Sequence, residues 1–117
     1  MNVDAMHGIA LEFKRVFLPP WPAHLTVQCQ STGAVYLRWR RAGRRGDQPY
    51  VLLEGPIGIE LLRGIDPLAC RVYLCFARRA VDLNLEHSLR LNELRRLERY
   101  VSQLEALGAL KQALGSP

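Results

Sequence analysis

The turn Ser31-Thr32-Gly33, set between two alternating runs, constrains this chain more than any other stretch. Upstream, Leu25, Val27 and Cys29 alternate with Thr26, Gln28 and Gln30. Downstream, Val35, Leu37 and Trp39 alternate with Tyr36, Arg38 and Arg40. A period of two marks a strand with one apolar and one polar face. A short connection carrying a glycine joins two such strands as an antiparallel hairpin. The apolar face of that hairpin then needs a cover, which the rest of the chain must supply.

The cover is expected from both ends. In residues 3–17, Val3, Met6, Ile9, Ala10, Phe13, Val16 and Phe17 recur at helical spacing, with Asn2 or Asp4 placed to cap the start. Proline lacks the N–H and restricts the residue before it, so Pro19-Pro20 ends that helix and opens a stiff connector. Residues 50–54 read as a short third strand, stopped by Gly55-Pro56-Ile57-Gly58. Residues 57–65 alternate in part and recur helically in part; a short helical turn is the reading adopted. Val72, Leu74 and Phe76 alternate with Arg71, Tyr73 and Cys75, which predicts a fourth strand over residues 71–77. Leu91, Leu94, Leu97, Val101, Leu104, Leu107, Leu110 and Leu114 step by threes and fours, which predicts a helix from Asn84, or from Ser88, to about Leu114.

The expected order is α-β-β-β-x-β-α in a single α+β domain spanning residues 1–117. It would have two layers, with a roughly four-stranded antiparallel sheet covered on one face by an N-terminal and a long C-terminal helix. The inward set would be Leu25, Val27, Cys29, Val35, Leu37, Trp39, Leu52, Val72, Leu74 and Phe76. A chain of 117 residues can bury about two-thirds of the surface its unfolded form exposes, so such a core is attainable. The front of the chain resembles a double-stranded RNA-binding domain in element order only. The second helix does not follow the third strand directly and no lysine cluster opens it, so no family is assigned.

Charge is distributed unevenly. Residues 1–33 and 80–117 each sum to zero, so the whole net charge of +5 lies in residues 34–79. Five arginines, Arg38, Arg40, Arg41, Arg44 and Arg45, fall within eight residues of that middle. A localised excess points to an anionic partner more strongly than the same charge spread evenly. The arginine-to-lysine bias, with high Leu and Ala, suggests a GC-rich bacterial genome.

Chemistry-bearing motifs are scarce. There is no GxSxG, HExxH, P-loop or dinucleotide-binding glycine pattern, and Cys29, Cys70 and Cys75 form no CxxC pair. The expectation is a non-enzymatic protein with no metal, no cofactor and reduced packing cysteines. No run of apolar residues is long enough for a membrane span, and the N-terminus lacks a signal peptide's basic start and cleavage site. A cytoplasmic protein is therefore expected.

Two surfaces remain as candidates. If the strands are adjacent, Tyr36, Arg38 and Arg40 share an outward face with Arg71 and Tyr73, beside Arg41, Arg44 and Arg45. Stacking on tyrosine and pairing of arginine with phosphate would hold a nucleic acid or another anionic partner there. The plain alternative is the ordinary wet face of an antiparallel sheet, which carries just such residues. The second surface is Leu104, Leu107, Leu110 and Leu114, whose stripe exceeds what a small sheet can cover: either it pairs the helix with a second copy or another protein, or the helix bends at Gly108 and packs its tail back on its own domain. A protein-interaction module is the leading reading and a nucleic-acid-binding protein the alternative.

Overall fold

The computed structural model describes residues 2–43 and 48–115. Three helices and one three-stranded antiparallel sheet make an α+β chain: α1 (Asn2–Val16), β1 (Ala23–Cys29), β2 (Val35–Arg41), β3 (Tyr50–Val51), α2 (Pro56–Arg63) and α3 (Pro67–Ala113). The strand order is β1-β2-β3. The chain divides into two units, residues 1–87 and residues 88–117, and α3 contributes to both.

The hairpin forms as its sequence dictates. Gln30 N–H donates to the Ala34 carbonyl at 2.8 Å, and Gly33 turns the chain at φ 88°, where a side chain would be strained. The register that follows pairs Val27 with Leu37 and Leu25 with Trp39 on one face, and Thr26 with Arg38 and His24 with Arg40 on the other. β3 adds only Val51 opposite Trp39 and Tyr50 opposite Arg40. It is shorter than the strand expected over residues 50–54, because the chain turns at Leu52, whose carbonyl accepts from Gly55 N–H at 3.1 Å. Pro56 then opens α2 at a position where its missing N–H costs nothing. The expected helical turn in this region is thus a helix of eight residues. Gly58 sits against the Leu53 backbone so closely that any Cβ would overlap the Leu53 carbonyl.

The fourth strand is not formed. Residues 71–77 are helical and belong to α3, which starts at Pro67 rather than at Asn84 or Ser88. Asp66 Oδ2 accepts from the N–H groups of Leu68 and Ala69 at 3.1 and 3.2 Å, and Pro67 follows it, a strong helix start. Tyr73, Phe76 and Ala80 are the buried residues of α3, a stripe stepping by three and four. Leu74, expected inside, is exposed, and so are Leu52 and Cys29. The alternation in residues 71–77 was a coincidence inside a helical period.

The core of the first unit draws on every element. Met6, Ile9 and Phe13 from α1 meet Ala23 and Leu25 from β1, Leu37 and Trp39 from β2, Val51, Leu53, and Leu62 from α2, with Tyr73, Phe76 and Ala80 from α3. Phe13 lies at its centre, its ring 5.0–6.2 Å from those of Phe17, Trp21, Trp39, Tyr73 and Phe76. Tyr73 is 1% exposed, and its hydroxyl donates to the Ala23 carbonyl at 2.7 Å. Burial pushes this phenol up to about 12, so it stays a donor at any ordinary pH. α1 is further tied to α3 by a bidentate pair, Arg79 to Glu12, at 3.0 and 2.7 Å.

Removing the Tyr73 hydroxyl isolates its effect, since the ring still fills its place. Tyr73→Phe is expected to lower stability by about 1–2 kcal/mol in urea unfolding, because it leaves the Ala23 carbonyl buried without its donor.

Candidate functional site: an arginine–tyrosine sheet face

Alternation divides β2 into a core side, Leu37 and Trp39, and an outer side, Tyr36, Arg38 and Arg40. Antiparallel register sets Gln28, Thr26 and His24 beside the outer residues and Tyr50 beside Arg40. The guanidinium carbons of Arg38 and Arg40 lie 4.5 and 4.6 Å from the centroid of the Tyr50 ring. Such contacts let a cation rest on an aromatic face without being neutralised. Arg38 Nη1 also donates to Gln28 Oε1 at 2.8 Å, which fixes its direction across the sheet.

Among the described residues neither guanidinium is in an ion pair, and Arg40 Nε is buried with no hydrogen-bond partner. Among the described residues, then, two positive charges stand together with no carboxylate in an ion pair with either. At the same end of the sheet His24 is stacked beside Trp21, ring centroids 5.3 Å apart. Its pKa sits below the ordinary 6.5, chiefly because burial disfavours the charged ring, and further because Lys14 and Arg40 repel a third cation.

The expected site is therefore brought together only in part. Tyr36, Arg38 and Arg40 share the outer face, and Arg41 is exposed at the end of β2. Tyr73 is not on that face: it packs against Trp39 on the core side, 5.5 Å between centroids. Arg71 is on α3, lining a shallow groove with Glu12, Val16 and Cys75, not on a strand. Both follow from residues 71–77 being helix. Arg44 and Arg45 lie outside the described residues. Tyr50 and His24 complete the face and were not singled out from sequence; Tyr50 falls on it by the same two-residue period, once the short third strand is paired with β2. Lys14 carried no signal, since its approach to His24 depends on how α1 packs.

The second candidate surface lies in the second unit. Every residue from 92 to 115 is exposed. Leu94, Leu97, Tyr100, Val101, Leu104, Leu107, Leu110 and Leu114 are each between 49% and 74% exposed, so the four leucines singled out belong to a longer stripe. Among the described residues no cluster of His, Cys, Asp and Glu has the makings of a metal site, and no helix is long and apolar enough to cross a membrane. Comparison with protein-family models, curated proteins and solved structures finds no match to this chain.

The depressed His24 has a direct readout. The native state binds fewer protons at this site than the unfolded chain in the interval just below pH 6.5. This contribution to stability is therefore present above 6.5 and lost as pH falls through the folded midpoint. NMR titration of the imidazole is expected to give a midpoint below 6.5, and Lys14→Gln should move it upward. A midpoint unchanged by that substitution would remove Lys14 from the account.

Proposed function

We propose that this chain is a non-enzymatic protein-interaction module whose C-terminal helical unit pairs with another helix. The observation that carries the proposal is the uncovered stripe from Leu94 to Leu114. Most helical stability in proteins comes from packing an apolar face, and monomeric proteins rarely expose a contiguous apolar surface of this kind. Steps of three and four in such a stripe are those of a left-handed helix pair.

The partner proposed is a second copy of this chain, in antiparallel orientation. In a pair centred near Ser102, Leu97 falls against Leu107 and Tyr100 against Leu104 of the other copy. The same register sets Glu93 against Lys111, so opposite charges meet at both ends of the contact. Sedimentation equilibrium of the full chain is expected to return a dimer mass at micromolar concentration. Leu97→Glu with Leu104→Glu, placing carboxylates in the centre of the contact, should return a monomer with an unchanged near-ultraviolet aromatic signal from the first unit. A monomer mass for the unmodified chain would refute the proposal.

A second reading is favoured by one specific observation, the two guanidiniums gathered over the Tyr50 ring, neither in an ion pair among the described residues. That arrangement suits a nucleic-acid strand, with phosphates on Arg38 and Arg40 and Arg41 close by at the strand end. Binding to a random single-stranded oligonucleotide should then weaken steeply as salt rises, through counterion release. Arg38→Gln with Arg40→Gln is expected to lower affinity about tenfold or more and to flatten the slope of log affinity against log salt by nearly two phosphates' worth. No binding in low salt would exclude this reading and leave the helix proposal untouched.

A further inference from the structure

The main-chain groups of β2 alternate in direction along the strand. Those of Leu37 point away from β1, because both are bound by a side chain from α3: Leu37 N–H donates to Asn84 Oδ1 at 2.8 Å, and Asn84 Nδ2 donates to the Leu37 carbonyl at 3.0 Å. By the period of two, Val35, Trp39 and Arg41 present their groups to the same side. Trp39 is paired with Val51 and Arg41 N–H donates to the Pro49 carbonyl at 2.9 Å, so residues 49–51 occupy that end of the edge. β3 then stops, the chain turns away at Leu52, and among the described residues no strand lies beside Val35–Leu37 on the side opposite β1.

A cleft of about 380 Å³ lies where β3 would have continued. Its wall includes Tyr36, Arg38, Leu52, Val81 and Asn84, and both Leu52 and Val81 are exposed apolar residues. Inside this cleft the Asn84 carboxamide reaches the edge and holds both main-chain groups of Leu37. A carboxamide carries the same donor and acceptor as a peptide unit, and here it makes both bonds that a paired strand residue makes. The edge is therefore shaped to accept a peptide, and the chain meets that demand with one side chain where a strand would use its backbone.

We propose that this cleft is a strand-addition site: an extended peptide segment of another protein pairs with β2 along Val35–Leu37, continuing the line of β3, and displaces the Asn84 carboxamide. Main-chain bonds supply the affinity, as in other strand-addition complexes, and alternate side chains supply the choice. Leu52 and Val81 flank the cleft with apolar surface, so the favoured segment carries apolar residues at every second position on that side. Asn84 acts as an exchangeable cap, which keeps the edge closed against self-pairing until a partner arrives.

The test is a selection of random octapeptides displayed on phage against the full chain, followed by titration of the enriched peptides into the isotopically labelled protein. The expected result is a period-two apolar pattern among them, with shifts in the Val35 and Leu37 amides and in the Asn84 side-chain NH₂ pair. Peptides N-methylated at the positions facing β2 should lose binding at least tenfold, since methylation removes the donor and leaves the side chains in place. Asn84→Ser, which shortens the cap, should bind the same peptides about tenfold more tightly. Absence of enrichment, shifts confined elsewhere, or equal binding of the methylated peptides each overturn the proposal. Edge-to-edge dimers of the Asn84→Ser chain that bind no peptide would overturn it too. Should that variant fail to fold, the titrations on the unmodified chain still decide.

Discussion

Phe13 is fully buried at the point where α1, the sheet and α3 meet, and the first unit depends on the aromatic contacts it makes there. Trp39, Tyr73 and Phe76 approach it edge-on, each about 5.4–5.5 Å from its centroid. Edge-to-face pairs are worth about 0.5–1.5 kcal/mol each beyond the area they bury. They also set direction. Trp39 must turn inward to reach Phe13, which turns Arg38 and Arg40 outward by the strand's period. Tyr73 must turn inward as well, and its hydroxyl then ties α3 to β1 at Ala23. The outer face is thus a consequence of the core: the same alternation that buries the rings collects the guanidiniums.

The hairpin was legible because its period, its turn and its polar face all agree, and Leu25, Leu37 and Trp39 are buried as the alternation requires. Residues 71–77 were not. Over seven residues, Val72, Leu74 and Phe76 alternate well enough to imitate a strand. The decisive signal lay five residues upstream in Asp66-Pro67, a capping residue followed by a first-turn proline. A local period loses to a boundary signal when the window is this short. A strand's alternation with Val72, Leu74 and Phe76 sets Tyr73 outward; in the helix it falls on the buried stripe, where its hydroxyl has a carbonyl to meet.

The candidate surfaces show the same division. Arg38 and Arg40 could be placed on a face from the sequence, since a strand's period needs no tertiary information. Tyr50 needed the register of a two-residue strand, and Lys14 needed the packing of α1. Asn84 had a signal that only a correct helix start reveals. Once α3 begins at Pro67, Asn84 falls on the stripe of Tyr73, Phe76 and Ala80, and a carboxamide there calls for a partner in the core. The exposed leucine stripe was visible throughout, because a helix of threes and fours is periodic whether or not anything covers it.

The central claim is that the second unit's apolar stripe exists to be covered by another helix. Backbone amide hydrogen exchange across residues 92–113, followed as protein concentration rises, addresses it most directly. The account predicts that exchange in this segment slows with concentration, with the largest change around Leu97 to Leu107, while amides of the first unit's core keep their rates. Exchange independent of concentration, from nanomolar to high micromolar, would contradict it.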